Sequence, residues 1–118
     1  MDLDELCDAV KEGQGVQTLP MSELRDMVGA GKLGVHVRER IRNVLRSRGL
    51  RYLPRPLPEN CDEYVRVYNP DTVVGKFIAA AVNCDPDADE TLREIDREHA
   101  AETIERIKEL LSPVSAGA

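Results

Sequence analysis

Apolar residues recur along this chain at two spacings, every three to four residues in some stretches and every second residue in others. The first spacing gathers side chains on one face of an α-helix, and the second gathers them on one face of a β-strand. Helices are predicted over residues 2–12, 22–28, 35–48, 73–82 and 89–111, with extended segments over 16–19, 50–53 and 63–68. The chain is therefore predicted to have an α+β fold that is mostly helical.

The helix over residues 35–48 has the clearest amphipathic pattern. Its apolar positions occupy about a third of the helix circumference and are Val37, Ile41, Val44 and Leu45. Arg38, Arg42 and Arg46 follow at steps of four residues and predict a basic stripe beside that apolar face. Gly49 suits the left-handed residue that ends many helices, and Leu50 suits the hydrophobic contact that often follows it.

The helix over residues 22–28 is predicted to begin at Ser22, whose hydroxyl can cap the first turn. The glycines of GAGKLG are predicted to end it and to turn the chain toward the next helix. The alternative is a nucleotide-binding loop. GAGKLG lacks the GxxxxGK[ST] pattern, however, and no strand is predicted directly before its glycines.

The segments 50–53 and 63–68 are predicted to pair as an antiparallel hairpin across the proline-rich loop PRPLPEN. In EYVRVY, the two valines are predicted to face the core, with Tyr64, Arg66 and Tyr68 on the other side. The helix over residues 73–82 is predicted to bury one face, formed by Val74, Phe77, Ile78, Ala81 and Val82.

Asp85, Asp87 and Asp89 have the spacing at which a calcium-binding loop begins. The EF-hand pattern fails here, because Glu90 stands where that loop needs glycine and Asp96 occupies the twelfth position, which needs glutamate. These acids are therefore predicted to cap the last helix, where negative charge is favourable.

Charge divides the chain into three parts. Residues 32–55 contain eight basic residues and one acid, a net charge of +7, whereas residues 1–31 carry −5 and residues 56–118 carry −8. The whole protein has a net charge of −6, which conceals one strongly basic segment. Such an asymmetry indicates a polyanionic or acidic partner.

The remaining residues disfavour several classes of protein. Cys7, Cys61 and Cys84 have no CxxC or Cys/His spacing, so reduced thiols are expected rather than a zinc site. Neither His36 nor His99 stands in an arrangement of nucleophile and base, so no enzymatic activity, metal or cofactor is predicted. The acidic N-terminus and the absence of a long apolar run predict neither a signal peptide nor a membrane span, and a cytoplasmic protein is expected.

Four segments follow one another in the order helix, glycine turn, basic helix and strand: TLPMSELRDMV, GAGKLG, VHVRERIRNVLRSRGLRYLP and EYVRVY. In this order, residues 18–68 resemble the winged helix-turn-helix superfamily of DNA-binding domains. The resemblance implies a winged-helix-like core with a two-stranded hairpin and extra N- and C-terminal helices. It also implies that the helix over residues 22–28 braces a recognition helix over residues 35–48.

The predicted DNA contacts divide by chemistry. Arginines can bind phosphates, whereas His36, Arg38, Glu39 and Asn43 can reach base edges if the helix enters the major groove. The predicted DNA-binding residues are His36, Arg38, Arg42, Asn43, Arg46, Arg51, Arg55 and Arg66. The alternative for the arginines is a solvated helix face, or salt bridges to the acidic first and last helices.

The predicted organisation is a winged-helix-like core over residues 1–84 and an acidic helical element over residues 85–118. The apolar stripe of residues 89–111 predicts packing against the first helix or a homodimer. A small DNA-binding regulator or accessory factor is the leading hypothesis. The alternatives are a protein-interaction adaptor that docks an acidic partner through the basic helix, and an acidic regulator that binds a basic partner through the last helix.

Overall fold

A computed structural model describes the backbone of residues 1–117 and the side chains of residues 1–110. These residues form an α+β fold whose elements follow one another in the predicted order. The helices are α1 (Leu3–Glu12), α2 (Met21–Met27), α3 (Val35–Ser47), α4 (Val73–Val82) and α5 (Pro86–Gly117). The strands are β1 (Val16–Pro20), β2 (Arg51–Leu53) and β3 (Tyr64–Tyr68). The chain divides into two compact units, Met1–Ala79 and Ala80–Ala118, with the division inside α4.

The first unit contains a three-stranded antiparallel sheet in the order β1-β3-β2. β2 pairs with β3 as predicted, with Tyr52 opposite Val67. The expectation of a two-stranded hairpin was incomplete, because β1 also pairs with β3 along its whole length, with Leu19 opposite Val65. The backbone groups of β1 thus find their partners far along the chain, which no local sequence pattern reports.

Aliphatic side chains form the core of the first unit. They come from α1, α2, α3, β1, β3 and the proline-rich loop, and include Leu6, Val10, Leu19, Leu24, Ile41, Leu45, Leu57, Val65 and Val67. Leu57, only 2% exposed, belongs to the proline-rich loop, so this loop is anchored in the core. Core burial of this kind supplies most of the free energy that holds α3 in place.

α3 ends in the backbone motif that its sequence predicts. The N–H groups of Gly49 and Leu50 donate to the carbonyls of Arg46 and Leu45, at 3.0 and 2.9 Å. Gly49 has a φ of 70°, in the left-handed region, and Leu50 is buried. The motif turns the chain directly from α3 into β2.

The predicted N-cap at Ser22 is wrong. α2 begins one residue earlier, at Met21, and no side chain caps it. The N–H groups of Met21 and Ser22 donate instead to the carbonyls of Glu63 and Cys61, at 2.9 and 3.1 Å. Because the segment before β3 already satisfies these donors, the helix does not need a hydroxyl cap.

The alternation predicted for β3 holds through Val67 and fails at Tyr68. Tyr68, predicted to face outward with Arg66, is 1% exposed. The ladder with β1 continues for one more residue, since the N–H of Asn69 donates to the carbonyl of Gly15 at 2.8 Å, and the chain then turns, with the N–H of Thr72 donating to the carbonyl of Asn69 at 3.2 Å. The last residue of the strand is therefore covered where its sequence pattern alone predicts solvent.

α4 has the predicted bounds, but its buried face is shorter than expected. Val74, Phe77 and Ile78 are half-buried, whereas Ala81 and Val82, which were predicted to be buried, are exposed. The residues from Ala80 onward belong to the second compact unit. The apolar face of α4, which was expected to be buried along the whole helix, is therefore interrupted in the last turn of α4.

α5 begins at Pro86, three residues earlier than predicted. The carboxylate of Asp85 accepts a hydrogen bond from the N–H of Asp87 at 2.9 Å, which confirms the capping role predicted for this acid. Leu92 is half-buried, whereas four other large apolar side chains of the helix are exposed, namely Ile95, Ile104, Ile107 and Leu110. The side chain of Leu111, the last member of the predicted stripe, lies outside the described residues.

Candidate nucleic-acid interface

α3 is held by its apolar face and presents the opposite face to solvent. Ile41 and Leu45 are fully buried, and Val37 packs against the same cluster. The exposed face carries His36, Glu39, Asn43 and Arg46, with Arg42 half-buried at its margin. This face therefore combines polar groups that can bond to base edges with guanidinium groups that can bond to phosphates.

Arg38 is separated from the other arginines of the predicted basic stripe. Its side chain is 19% exposed, and its Nη1 lies 3.3 Å from Oε1 of Glu59 in the proline-rich loop. Its Nε is buried without a hydrogen-bond partner among the described residues. Because each step of four residues advances about 40° around a helix, Arg38 falls at the buried edge of α3. It is not presented together with Arg42 and Arg46.

Two other arginines of the basic segment are engaged within the first unit. Nη2 of Arg40 donates to the carbonyl of Val28 at 2.9 Å and so joins α3 to the end of α2. Nη2 of Arg48 lies 2.9 Å from Oδ1 of Asp4 in α1. This hydrogen bond and the charge of Asp4 raise the pKa of Arg48. A salt bridge to the acidic first helix was the alternative for the predicted DNA-binding arginines, and here it is formed by Arg48, which is not one of them.

Arg42 and Arg46 open onto a cleft within the first unit. The cleft has a volume of about 400 Å³ and is also lined by Arg51 of β2 and Arg55 of the proline-rich loop. None of these four guanidinium groups forms an ion pair with any residue whose side chain the structure describes. Asp71 is the single acid among the described lining residues. We call this site, defined by the four arginines, the arginine cleft.

Tyr52 forms part of the wall of the arginine cleft. The guanidinium carbon of Arg55 lies 5.5 Å from the centre of the Tyr52 ring, within the range of a cation–π interaction. Tyr52 itself packs against the core, so the ring connects Arg55 to the rigid part of the domain. An aromatic residue between basic ones is a known signal of nucleic-acid binding, and this signal could have identified Tyr52 from the sequence.

Arg66 does not line the cleft. It is exposed on β3, and its Nε donates to Oγ1 of Thr18 at 3.2 Å. The structure thus brings four of the eight predicted DNA-binding residues together in the arginine cleft. His36 and Asn43 lie on the exposed face of α3, whereas Arg38 and Arg66 belong to neither group.

The comparisons with known proteins find no relative. No family model, no curated protein and no solved structure matches the chain. Among the described residues, no helix has both the length and the apolar character that a membrane crossing requires. Any assignment of function therefore depends on the geometry and chemistry of the site itself.

Proposed function

We propose that the first unit is a winged-helix-like domain that binds double-stranded DNA, with α3 as its recognition helix. Support comes from the element order α1-β1-α2-α3-β2-β3 and from the position of β3 between the other two strands. In helix-turn-helix proteins, the second helix of the pair lies in the major groove while the first crosses the backbone. α2 and α3 stand in that order, and Arg40 bonds one to the other.

The observation that carries the proposal is the set of four arginines in the arginine cleft, none of which has an ion-pair partner among the residues whose side chains the structure describes. The chain contains 22 acidic residues, so carboxylates to neutralise these arginines are plentiful. Like charges held close together in a folded domain repel one another, and an external anion relieves that repulsion. Guanidinium groups bind phosphate oxygens through two parallel hydrogen bonds, which makes a phosphate backbone a suitable partner.

The other exposed groups of α3 supply the base contacts in this proposal. The side-chain amide of Asn43 matches the donor and acceptor pair that adenine presents in the major groove, and His36 offers a further donor or acceptor. Arg42, Arg46, Arg51 and Arg55 would hold the backbone and fix the register of the helix. A protein with this division of roles acts as a transcriptional regulator or an accessory factor.

The test is the salt dependence of DNA binding. A fluorescently labelled duplex of about 20 base pairs is titrated with the full chain across about 50 to 300 mM salt. Each neutralised phosphate contributes about 0.9 to the slope of log K against log salt, so the double substitution Arg42→Ala/Arg46→Ala should lower the slope by about 2. Circular dichroism verifies that the variant remains folded.

The matched control is the double substitution Arg93→Ala/Arg106→Ala in α5, which changes the net charge by the same amount. It should leave the slope unchanged, because these arginines lie outside the first unit. An absence of binding at the lowest salt, or an equal loss in the control, would contradict the proposal. If an acidic protein is then captured in a manner that depends on Arg42 and Arg46, the adaptor hypothesis replaces it.

A further inference from the structure

We propose that the arginine cleft is also a binding site for a small ligand that carries two or more linked phosphate groups. The cleft lies at the junction of three segments: the end of α3, the start of β2 and the turn that precedes α4. Arg46 and Arg51 approach it from the two sides of the turn at Gly49, and Pro70 and Asp71 close another side. The arginines thus surround a concave space as well as forming a basic surface.

The shape of the cleft suits a compact ligand. Its volume of about 400 Å³ falls within the range of small-molecule sites, which is roughly 300 to 1,000 Å³. A DNA backbone is a long ridge with phosphates spaced one per nucleotide, and contact with it does not require a concave site. Linked phosphates, by contrast, place several anionic oxygens inside a space of this size.

The net charge of the cleft indicates how many phosphate groups its ligand carries. Four guanidinium groups and the carboxylate of Asp71 give a net charge of +3. One phosphate group carries about −1.5 to −2 at neutral pH and would leave the cleft positive. Two linked groups share a bridging oxygen and together carry about −3, which balances the charge of the cleft. A diphosphate or triphosphate is therefore favoured over a single phosphate.

The walls of the cleft are preorganised for such a ligand. Tyr52 packs on the core and holds Arg55 through the cation–π contact at 5.5 Å. Arg46 and Arg51 flank the hydrogen-bonded turn at Gly49 and Leu50, so their backbones are fixed by α3 and β2. Groups whose backbones are already fixed lose less conformational freedom on binding, which raises affinity.

The binding of this ligand and the binding of DNA are expected to be coupled. Arg42 and Arg46 are assigned to DNA phosphates in the proposed function, so ligand and DNA would exclude one another and each would weaken the other's binding. This consequence rests on the proposed function. The binding of the phosphate ligand itself does not.

The experiment is a calorimetric titration of the full chain with inorganic tripolyphosphate, without DNA, at a constant ionic strength of about 150 mM. We expect one ligand per chain and an affinity at least about tenfold higher than that of orthophosphate. The double substitution Arg51→Ala/Arg55→Ala should weaken tripolyphosphate binding at least about tenfold. The control Arg93→Ala/Arg106→Ala should bind as the wild type does.

Arg46→Lys provides a second variant that keeps the charge and removes the two-pronged hydrogen-bonding group. It should weaken tripolyphosphate binding several-fold, whereas a diffuse counterion effect would leave the affinity unchanged. The proposal is overturned by absent binding, by several ligands per chain, or by equal affinity in the wild type and the Arg51/Arg55 variant. Because no DNA is present, this result is independent of the duplex titration, and either proposal can fail alone.

Discussion

The segment 32–55 and helix α5 are both rich in charged residues, but they distribute their charges differently. The segment carries eight basic residues and one acid, and four of its arginines line the arginine cleft without ion-pair partners among the described residues. α5 carries nine acids and four basic residues, and the two signs are interspersed along the helix. Oε2 of Glu90 lies 3.3 Å from Nη1 of Arg93, and Oε1 of Glu90 lies 2.7 Å from Nη1 of Arg97. Part of the charge is therefore neutralised within one helix.

The two regions also differ in how deeply their apolar residues are buried. Ile41 and Leu45 of α3 are completely buried, whereas Ile104 and Leu110 of α5 are 53% and 73% exposed. The hydrophobic core therefore holds α3 in a fixed position. The arginines at the end of α3 and beside it, unpaired among the described residues, then form a surface of defined shape. Paired charges on an exposed helix mainly stabilise that helix. The difference indicates that charge imbalance on a fixed element, rather than charge density, marks the candidate site.

The largest effect is expected from the core that fixes α3. Leu45→Ala removes a side chain that is 0% exposed and should lower the free energy of unfolding by about 3 kcal/mol, because a buried cavity remains. Ile104→Ala, at a position that is 53% exposed, should change it by less than about 0.5 kcal/mol. Urea denaturation monitored by circular dichroism measures both.

An equally large loss for Ile104→Ala would contradict the contrast between the two regions. If that loss shrank with protein dilution, as the wild type dissociated, the apolar stripe of α5 would be buried against a second copy, as the homodimer hypothesis expects. A loss independent of concentration would place the stripe against the same chain.

A smaller effect is expected at the turn between α3 and β2. Gly49 has a φ of 70°, and nothing lies within 4 Å of the position that a Cβ would occupy. Gly49→Ala should therefore destabilise the protein by about 1 kcal/mol through backbone strain alone. Gly31→Ala is the control, since that site is equally open and has no left-handed φ. Thermal melting of both variants measures the difference, and equal melting temperatures would show that the turn at Gly49 carries no strain.

The order of the elements could be predicted because most signals were local. The apolar period of α3, the glycine at its end and the capping acid of α5 are all readable within one or two turns of chain. The cap of α2 was predicted wrongly at Ser22, and the pairing of β1 was not predicted. Their backbone partners, such as the carbonyl of Glu63 for Met21, lie far away in sequence.

The candidate site could be predicted only in part for the same reason. Charge counting identified the basic segment, but it could not separate Arg38, which pairs with Glu59, from Arg42, which does not. The arginine cleft depends on the fold, because Pro70 and Asp71 reach it from beyond β3. No local pattern relates these residues to the arginines.

The smallest effect is expected from the local pairing in α5, and it depends on pH. The hydrogen bond from Arg97, followed by the hydrogen bond from Arg93, lowers the pKa of Glu90. A carboxyl group whose pKa is lowered in the folded state stabilises that state above its unfolded pKa. This contribution is lost as the pH falls through the lowered value. The helix should therefore weaken on acidification, and added salt should reduce the effect, because the pair is exposed.

Arg97→Gln tests this pairing directly, because it removes the partner that lies 2.7 Å from Glu90. The pKa of the Glu90 carboxyl group, followed by NMR titration, should rise toward its ordinary value in that variant. Arg106→Gln removes one charge from the same helix without touching Glu90, and it should leave the titration unchanged. If both substitutions raised the pKa of Glu90 equally, the helix would act as a diffuse field rather than through specific pairs. The contrast between local neutralisation in α5 and the arginine cleft, whose guanidinium groups have no ion-pair partners among the described residues, would then no longer hold.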